Sequence, residues 1–430
     1  MTRRAIVIIL DGLRRDWVTP GLTPAVHAFG AEATAFARHR SVFPSCTRVV
    51  SSSIATGCLP ARHGIQGNML ALTEGGRPVL HDVGPPGFFE HRRRVTGRAM
   101  DRPTWAERLA GRGGCVVYSN VSPGAAHAQD PDGHGRVHHR SGSYGPGRVP
   151  LSGSEALAVT PDIAGDIAMT ERFCADVLSD RPPALAVLWC GNPDTAQHGL
   201  PLGSPGHHAV LRAVDANIAR LLERIGQDDD TLLILASDHG HEAIAGQVDI
   251  AAELVAAGLK DSRASDDVAV APNGSAALIY LAPAAQRRKD AIAGWIAAQP
   301  WAGRVHVGAG LAEAGLSEDH GLAMAVSLAS SDAPNAFGVP GSVLVAGRAD
   351  RPAPPPGTGT HGSLGRWAQS AVLFIRGPGF RPGSTCDDVT SAIDLAPTVL
   401  CHLGEAATGM DGRALQDPGF RFPQPQGAAP

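Results

Sequence analysis

Five short runs in this chain are apolar at nearly every position: residues 5–10 (AIVIIL), 115–118 (CVVY), 184–189 (ALAVLW), 231–236 (TLLILA) and 371–375 (AVLFI). A strand with one wet face alternates apolar and polar residues. A strand apolar on both faces must be covered twice, which places it inside a parallel sheet with helices above and below. The stretches between the runs supply those helices. After Ser204-Pro205, a cap residue and a first-turn proline, the side chains of Val210, Leu211, Val214, Ile218, Leu221, Leu222 and Ile225 form one apolar stripe that Gly226 closes. A second helix is expected over 394–403, with Pro397 in its first turn and Gly404 behind it. Strands alternating with helices predict a doubly wound, mostly parallel α/β sheet, with all five runs parallel.

With 430 residues the chain is too long for one ordinary core. We expect a catalytic core formed by 1–261 and 346–416, interrupted by a smaller α+β cap over 262–345. The cap would hold strands at 276–281 and 323–328 around a helix at 284–298, and residues 351–360, rich in proline and glycine, would return the chain to the core. Residues 75–150, crowded with Gly, Pro, His and Arg, read as a long irregular excursion. The tail over 417–430 reads as disordered. Net charge is −4, which leaves no basic surface to hold a nucleic acid polymer by its phosphates. No apolar stretch approaches the ~20 residues needed to span a bilayer, and the run behind Arg3 and Arg4 is too short for a signal core. Seven scattered cysteines without CxxC pairs read as reduced thiols of a cytoplasmic protein.

In open α/β sheets ligands bind at the carboxyl ends of the strands, and there this sequence places metal-ligand side chains. Asp11 follows the first run. Asp194 and His198 follow the third in GNPDTAQHG, Asp238 and His239 follow the fourth in ASDHG, and His361 in GTHGS precedes the fifth. Singly, each reads as a turn residue, a cap or an ordinary histidine. Together, carboxylates and imidazoles from four loops at one sheet edge suit Zn²⁺ or a similar divalent ion. In FPSCTRVVSSSIATG, Thr47 stands where a helix should begin, a position that favours an anion through unpaired N–H groups, although a plain N-cap is the simpler reading.

The ordered set DG…T…TG…HGIQGN…D-x-x-x-H…SDHG…HGS resembles the alkaline phosphatase superfamily, specifically its nucleotide pyrophosphatase/phosphodiesterase and phosphonoacetate hydrolase branch. The resemblance runs from Asp11 to about Leu415. It implies two divalent metal ions, Zn²⁺ first, with Mn²⁺ or Fe as alternatives. One would be held by Asp194, His198 and His361, the other by Asp11, Asp238, His239 and the Thr47 oxygen. Thr47 would be the nucleophile and form a phospho-threonine, while Asn68 and the backbone N–H after Thr47 would donate to phosphoryl oxygens. His63 reads as structural; His241 and His320 have no assigned role. Monoesterases of the superfamily place a Lys-x-Lys or Lys-x-Arg pair after a strand, whereas Ser119-Asn120-Val121 carries no cation. Arg48, beside the nucleophile, either answers a second substrate charge or pairs with a nearby acid. The expected activity is a phosphodiesterase acting on a small ester whose leaving group is not a stacked nucleotide. A phosphomonoesterase or a C–P hydrolase acting on a phosphonate is the alternative, and a phosphomutase a more distant one. A homodimer is compatible with these features.

Overall fold

The computed structural model describes residues 3–179, 181–226, 228, 230–347 and 352–417. Its largest element is a 10-stranded sheet in the order Ser384–Ser391, Thr34–Arg40, Leu373–Arg376, Thr231–Ala236, Arg4–Leu10, Leu185–Cys190, Val116–Ser119, Arg136–His139, Tyr144–Gly145, Val149–Pro150. Arg4–Leu10 lies at the middle, parallel to both neighbours. Its side chains divide by parity, as strand geometry requires. Ala5, Val7 and Ile9 join the core on one face with the helices Thr47–Thr56 and Leu395–Leu403. Ile6, Ile8 and Leu10 join the core on the other face with Pro24–Glu32, Ile163–Val177 and Pro205–Ile225. Both faces are covered, which is why the run is apolar throughout.

Four of the five apolar runs are parallel strands. The fifth is not: Leu373–Arg376 runs antiparallel to both Thr231–Ala236 and Thr34–Arg40. The chain reaches it from Gly359–Thr360, a strand of a smaller sheet, through residues that form no helix. Residues 75–150 are also more regular than expected. They complete the hairpin Met69–Glu74/Arg77–Asp82, form the helices Phe88–Thr96 and Pro123–Ala128, and add three short strands that carry the large sheet to its far edge. Their abundant glycines and prolines serve tight turns between short elements.

The strands Val268–Asn273, Ala276–Leu281, Leu322–Leu328 and Ala302–Val307 form an antiparallel sheet of their own, covered by Lys289–Ala297. The first part of the helix expected at 284–298 is a 3-10 turn, Pro283–Arg288. A further small sheet pairs Pro340–Ala346 with Glu242–Val248, and the latter with Gly359–Thr360. The expected disordered tail lies outside the described residues apart from Asp417, as does the start of the return loop at 351. No described helix is both long and apolar enough to cross a membrane. All seven cysteines are free.

Candidate metal-binding active site

The seven residues expected to surround two metal ions come together at the carboxyl edge of the large sheet. Asp11 leaves Arg4–Leu10, and Asp238 and His239 leave Thr231–Ala236. Asp194 opens the short helix that follows Leu185–Cys190, and His198 closes it. His361 follows Gly359–Thr360. Thr47 is the first residue of its helix, 8% exposed, with Oγ1 3.2 Å from His239 Nε2.

Two clusters result, each with ligand atoms within 4.8 Å of one another: Asp11, Asp238 and His239, and Asp194, His198, His361 and His241. In the first, His239 Nε2 lies 3.5 Å from Asp11 Oδ1 and 3.2 Å from Asp238 Oδ2. In the second, Asp194 Oδ1 is 3.3 Å from His198 Nε2, 3.0 Å from His241 Nε2 and 3.6 Å from His361 Nε2.

The other ring nitrogens fix the tautomers. His198 Nδ1 faces the Gly359 carbonyl at 3.0 Å, His239 Nδ1 that of Gly240 at 3.1 Å, His241 Nδ1 that of Gly12 at 3.3 Å, and His361 Nδ1 that of Ser45 at 2.8 Å. A carbonyl only accepts, so each neutral ring donates from Nδ1–H and turns an Nε2 lone pair inward. Lone pairs then face carboxylate oxygens about 3 Å away, and Asp11 Oδ1, Asp194 Oδ1, Asp238 Oδ2 and His241 Nε2 have no hydrogen-bond partner among the described residues. Such an array is repulsive unless cations or protons stand between its members. The donor set fits divalent cations.

The protonation equilibria carry the same strain. Burial, then the charges of Asp238 and Asp194, push the Asp11 carboxyl well above its ordinary range. Burial pushes Asp238 up to about 8 and holds His361 down to about 3. Asp194 goes the other way: burial would raise it, but His198 and His241 hold it low.

His241 is the residue the sequence reading left without a role. A signal was present, because it lies two residues beyond His239 in HGH, and alternate residues of extended chain point the same way. Gly12, at φ +71°, makes room for it: a Cβ there would stand 2.5 Å from His241 Cε1.

Asn68 Oδ1 accepts the backbone N–H of Arg48 at 3.1 Å. That N–H, expected to meet the substrate, is therefore spent on orienting Asn68. Arg48 pairs with Asp82 at 2.9 Å and donates to Ser122 Oγ at 3.1 Å. Ser51 and Ser52 bond backbone carbonyls. Ser53 meets His63 Nε2 at 2.9 Å, while His63 Nδ1 accepts from Ile65, a structural arrangement. His320 lies at the hairpin, against Thr73. Arg48, Asn68, His198 and His361 line a cavity of about 350 Å³ that has no Phe, Tyr or Trp among its described lining residues.

The family model for type I phosphodiesterase / nucleotide pyrophosphatase matches residues 5–337. The structure is similar to murine ectonucleotide pyrophosphatase / phosphodiesterase 5, at 17% identity and a TM-score of 0.67, covering 95% of this chain and 97% of that one. An inactive threonine-to-alanine form of the murine protein in complex with AMP gives 16%, 0.66, 96% and 97%. The human counterpart gives 18%, 0.66, 95% and 97%. No curated protein matches the sequence.

Proposed function

Because this chain belongs to the type I phosphodiesterase / nucleotide pyrophosphatase family, we propose that it hydrolyses small phosphodiesters with Thr47 as nucleophile at a site for two divalent cations. The observation that carries this reading is the inward convergence of four imidazole lone pairs on one oxygen each of Asp11, Asp194 and Asp238, buried atoms with no hydrogen-bond partner among the described residues, beside Thr47 Oγ1. Asp194, His198, His361 and His241 would hold one cation, and Asp11, Asp238, His239 and Thr47 Oγ1 the other. Three imidazoles and a carboxylate favour Zn²⁺ at the first. Bound there, the cations supply Lewis acidity, lowering the pKa of a hydroxyl and offsetting charge that develops on oxygen.

The chain's own part follows from its geometry. Thr47, fixed at a helix N-terminus, gives up its Oγ1 proton to solvent water and attacks phosphorus in line. The Oγ1–P bond forms as the bond to the leaving oxygen breaks, and water then cleaves the phospho-threonine. Asn68, with Oδ1 tied to Arg48 N–H, keeps Nδ2 for a nonbridging oxygen. The inactive threonine variant of the murine relative supports an essential threonine by analogy.

A diester is favoured because Asp82 already answers the charge of Arg48. The want of Phe, Tyr or Trp among the cavity's described lining residues supports a leaving group not held by stacking. The test compares kcat/KM for an aryl phosphodiester and the matching monoester. The diester should be preferred by about tenfold or more, one uncompensated charge in a partly buried site being worth at least ~1.4 kcal/mol. Arg48→Ala should leave that ratio within a few-fold. A monoester preference that collapses in the variant would overturn the diester reading in favour of a phosphomonoesterase.

His241→Ala should weaken the cation held with Asp194 by about 10–100-fold, at least the effect of removing a supporting partner of a metal site. Metal analysis after dialysis at limiting Zn²⁺ and the visible spectrum of the Co²⁺-loaded protein both report on it. An unchanged spectrum and unchanged occupancy would leave His241 outside the ligand set.

A further inference from the structure

A second cavity, of about 560 Å³, opens between the strand Thr34–Arg40 of the large sheet and the strands Ala302–Val307 and Leu322–Leu328 of the inserted sheet. It shares no lining residue with the cavity beside Thr47. Arg15, Arg38, Arg40, Arg304 and Arg366 line it, and among its described lining residues there is no aspartate or glutamate. In a chain of net charge −4 this is a local inversion of sign.

Local structure explains how the arginines converge. Arg38 and Arg40 sit two apart on one strand and share its exposed face, while His39 between them is buried and bonded to Thr390. Arg304 follows a bulge in the pairing of Ala302 and Arg304 with Leu328 and Ser327, and such bulges re-aim the next side chain. Gly303 allows the bulge to lie close, since a Cβ there would stand 2.9 Å from the Ser327 carbonyl oxygen.

The five cations are not equivalent. Arg15 spends four of its five N–H groups on the carbonyls of Ala37, His39 and Ala371, so it contributes mainly charge. Burial and the charge of Arg40 both act against its protonated form. Arg366 is answered by Asp332 at 3.0 Å. Arg38, Arg40 and Arg304 have neither an ion-pair nor a hydrogen-bond partner among the described residues, and all three are exposed. Three guanidinium forks from two sheets therefore face one cavity with their donors unused.

We propose that this cleft binds a small anion of two or three linked phosphoryl groups, held by Arg38 and Arg40 on the large sheet and Arg304 on the inserted one. A guanidinium fork matches the spacing of phosphoryl oxygens and takes them two at a time. The three open forks, with the charge of Arg15 beside them, call for a ligand of three or more negative charges, more than a single phosphate carries near neutral pH. A single-stranded nucleic acid is disfavoured, since no Phe, Tyr or Trp is among the described residues that line the cleft to stack a base. The ligand would tie the inserted sheet to the large one.

The probe is imidodiphosphate, whose P–N–P link resists hydrolysis, titrated calorimetrically into the cation-loaded, full-length protein at about 0.15 M salt, where unspecific attraction is screened. Arg40→Ser with Arg304→Ser should weaken binding at least about tenfold, or remove one equivalent of bound anion, and should abolish the anion-dependent rise in Tm. Arg220→Ser, an exposed arginine on the helix Pro205–Ile225, controls for net charge and should change neither. Turnover of an aryl phosphodiester should be unchanged in the double variant. Equal binding by the double variant and Arg220→Ser would overturn the proposal, because the anion would then sit elsewhere. Orthophosphate binding as tightly as imidodiphosphate would overturn the assignment to linked phosphoryl groups.

Discussion

Thr47→Ala is expected to lower kcat for a phosphodiester by on the order of 10³-fold or more, the scale of loss when a covalent nucleophile is removed. The fold should survive. Thr47 is small, sits at the first turn of its helix, and leaves the packing of Val49, Val50 and Ile54 beneath it untouched. At least one cation should also survive, because Asp194, His198, His361 and His241 offer four ligand atoms within 4.8 Å of one another without Thr47. Circular dichroism, metal analysis and single-turnover kinetics on one preparation separate these outcomes. Retention of more than a few per cent of activity with normal metal content would rule Thr47 out. Thr47→Ser, which keeps a hydroxyl, should restore measurable turnover; failure of that rescue would point to a packing role instead.

Stripping the cations is expected to abolish turnover and also to change how stability depends on pH. The sign follows from the buried carboxyls. Asp238, pushed up to about 8, and Asp11, pushed up well above its ordinary range, hold protons in the cation-free fold that the unfolded chain would release. A raised carboxyl favours the fold fully below its unfolded value near 4, and that contribution is lost as pH rises through about 8. His361, held down to about 3, acts oppositely but only below about 6.5, where the unfolded ring takes up its proton. Between about 6.5 and 8 the carboxyls act together with His198, which Asp194 and the Gly359 carbonyl raise against its burial, and the Tm of chelated protein should fall with rising pH. Bound cations keep the same carboxylates ionised, so the loaded protein should lack that fall and should release protons when cations are added at pH 7. Parallel Tm profiles with and without cations, and no proton release, would mean that these carboxyls are not ligands.

The strands that carry the site were legible because they are buried on both faces, and burial on both faces leaves an unbroken apolar run. Arg4–Leu10 and Thr231–Ala236 are readable for that reason. Arg136–His139 is not: it has the sequence RVHH, and His138 stacks on Tyr118 while His139 bonds the Val121 carbonyl. Tertiary partners satisfy those polar groups, and no local pattern announces them. The direction of Leu373–Arg376 was hidden for a different reason, since an apolar run reports burial and not polarity of the chain. For the site, ligand-type residues at strand ends were visible one by one, whereas the neighbours of Arg48 were not. Asp82 reaches it from the hairpin, a pairing that depends on how Met69–Glu74 and Arg77–Asp82 fold back toward the helix at Thr47.

Each of the four imidazoles is steered by a main-chain oxygen, from Gly12, Ser45, Gly240 and Gly359. A side-chain carboxylate in that position can be lost through one codon change, but a carbonyl survives every substitution of its own residue. Orientation of the rings is thus insulated from point mutation. Single replacements can disturb it only by moving backbone, as a Cβ at Gly12 or Gly359 would by meeting the ring of His241 at 2.5 and 2.6 Å. Genetic drift across the surrounding loops should accordingly leave ring geometry intact at most positions and fail abruptly at such glycines, Gly240 among them, where a Cβ would stand 2.1 Å from the Trp367 carbonyl oxygen.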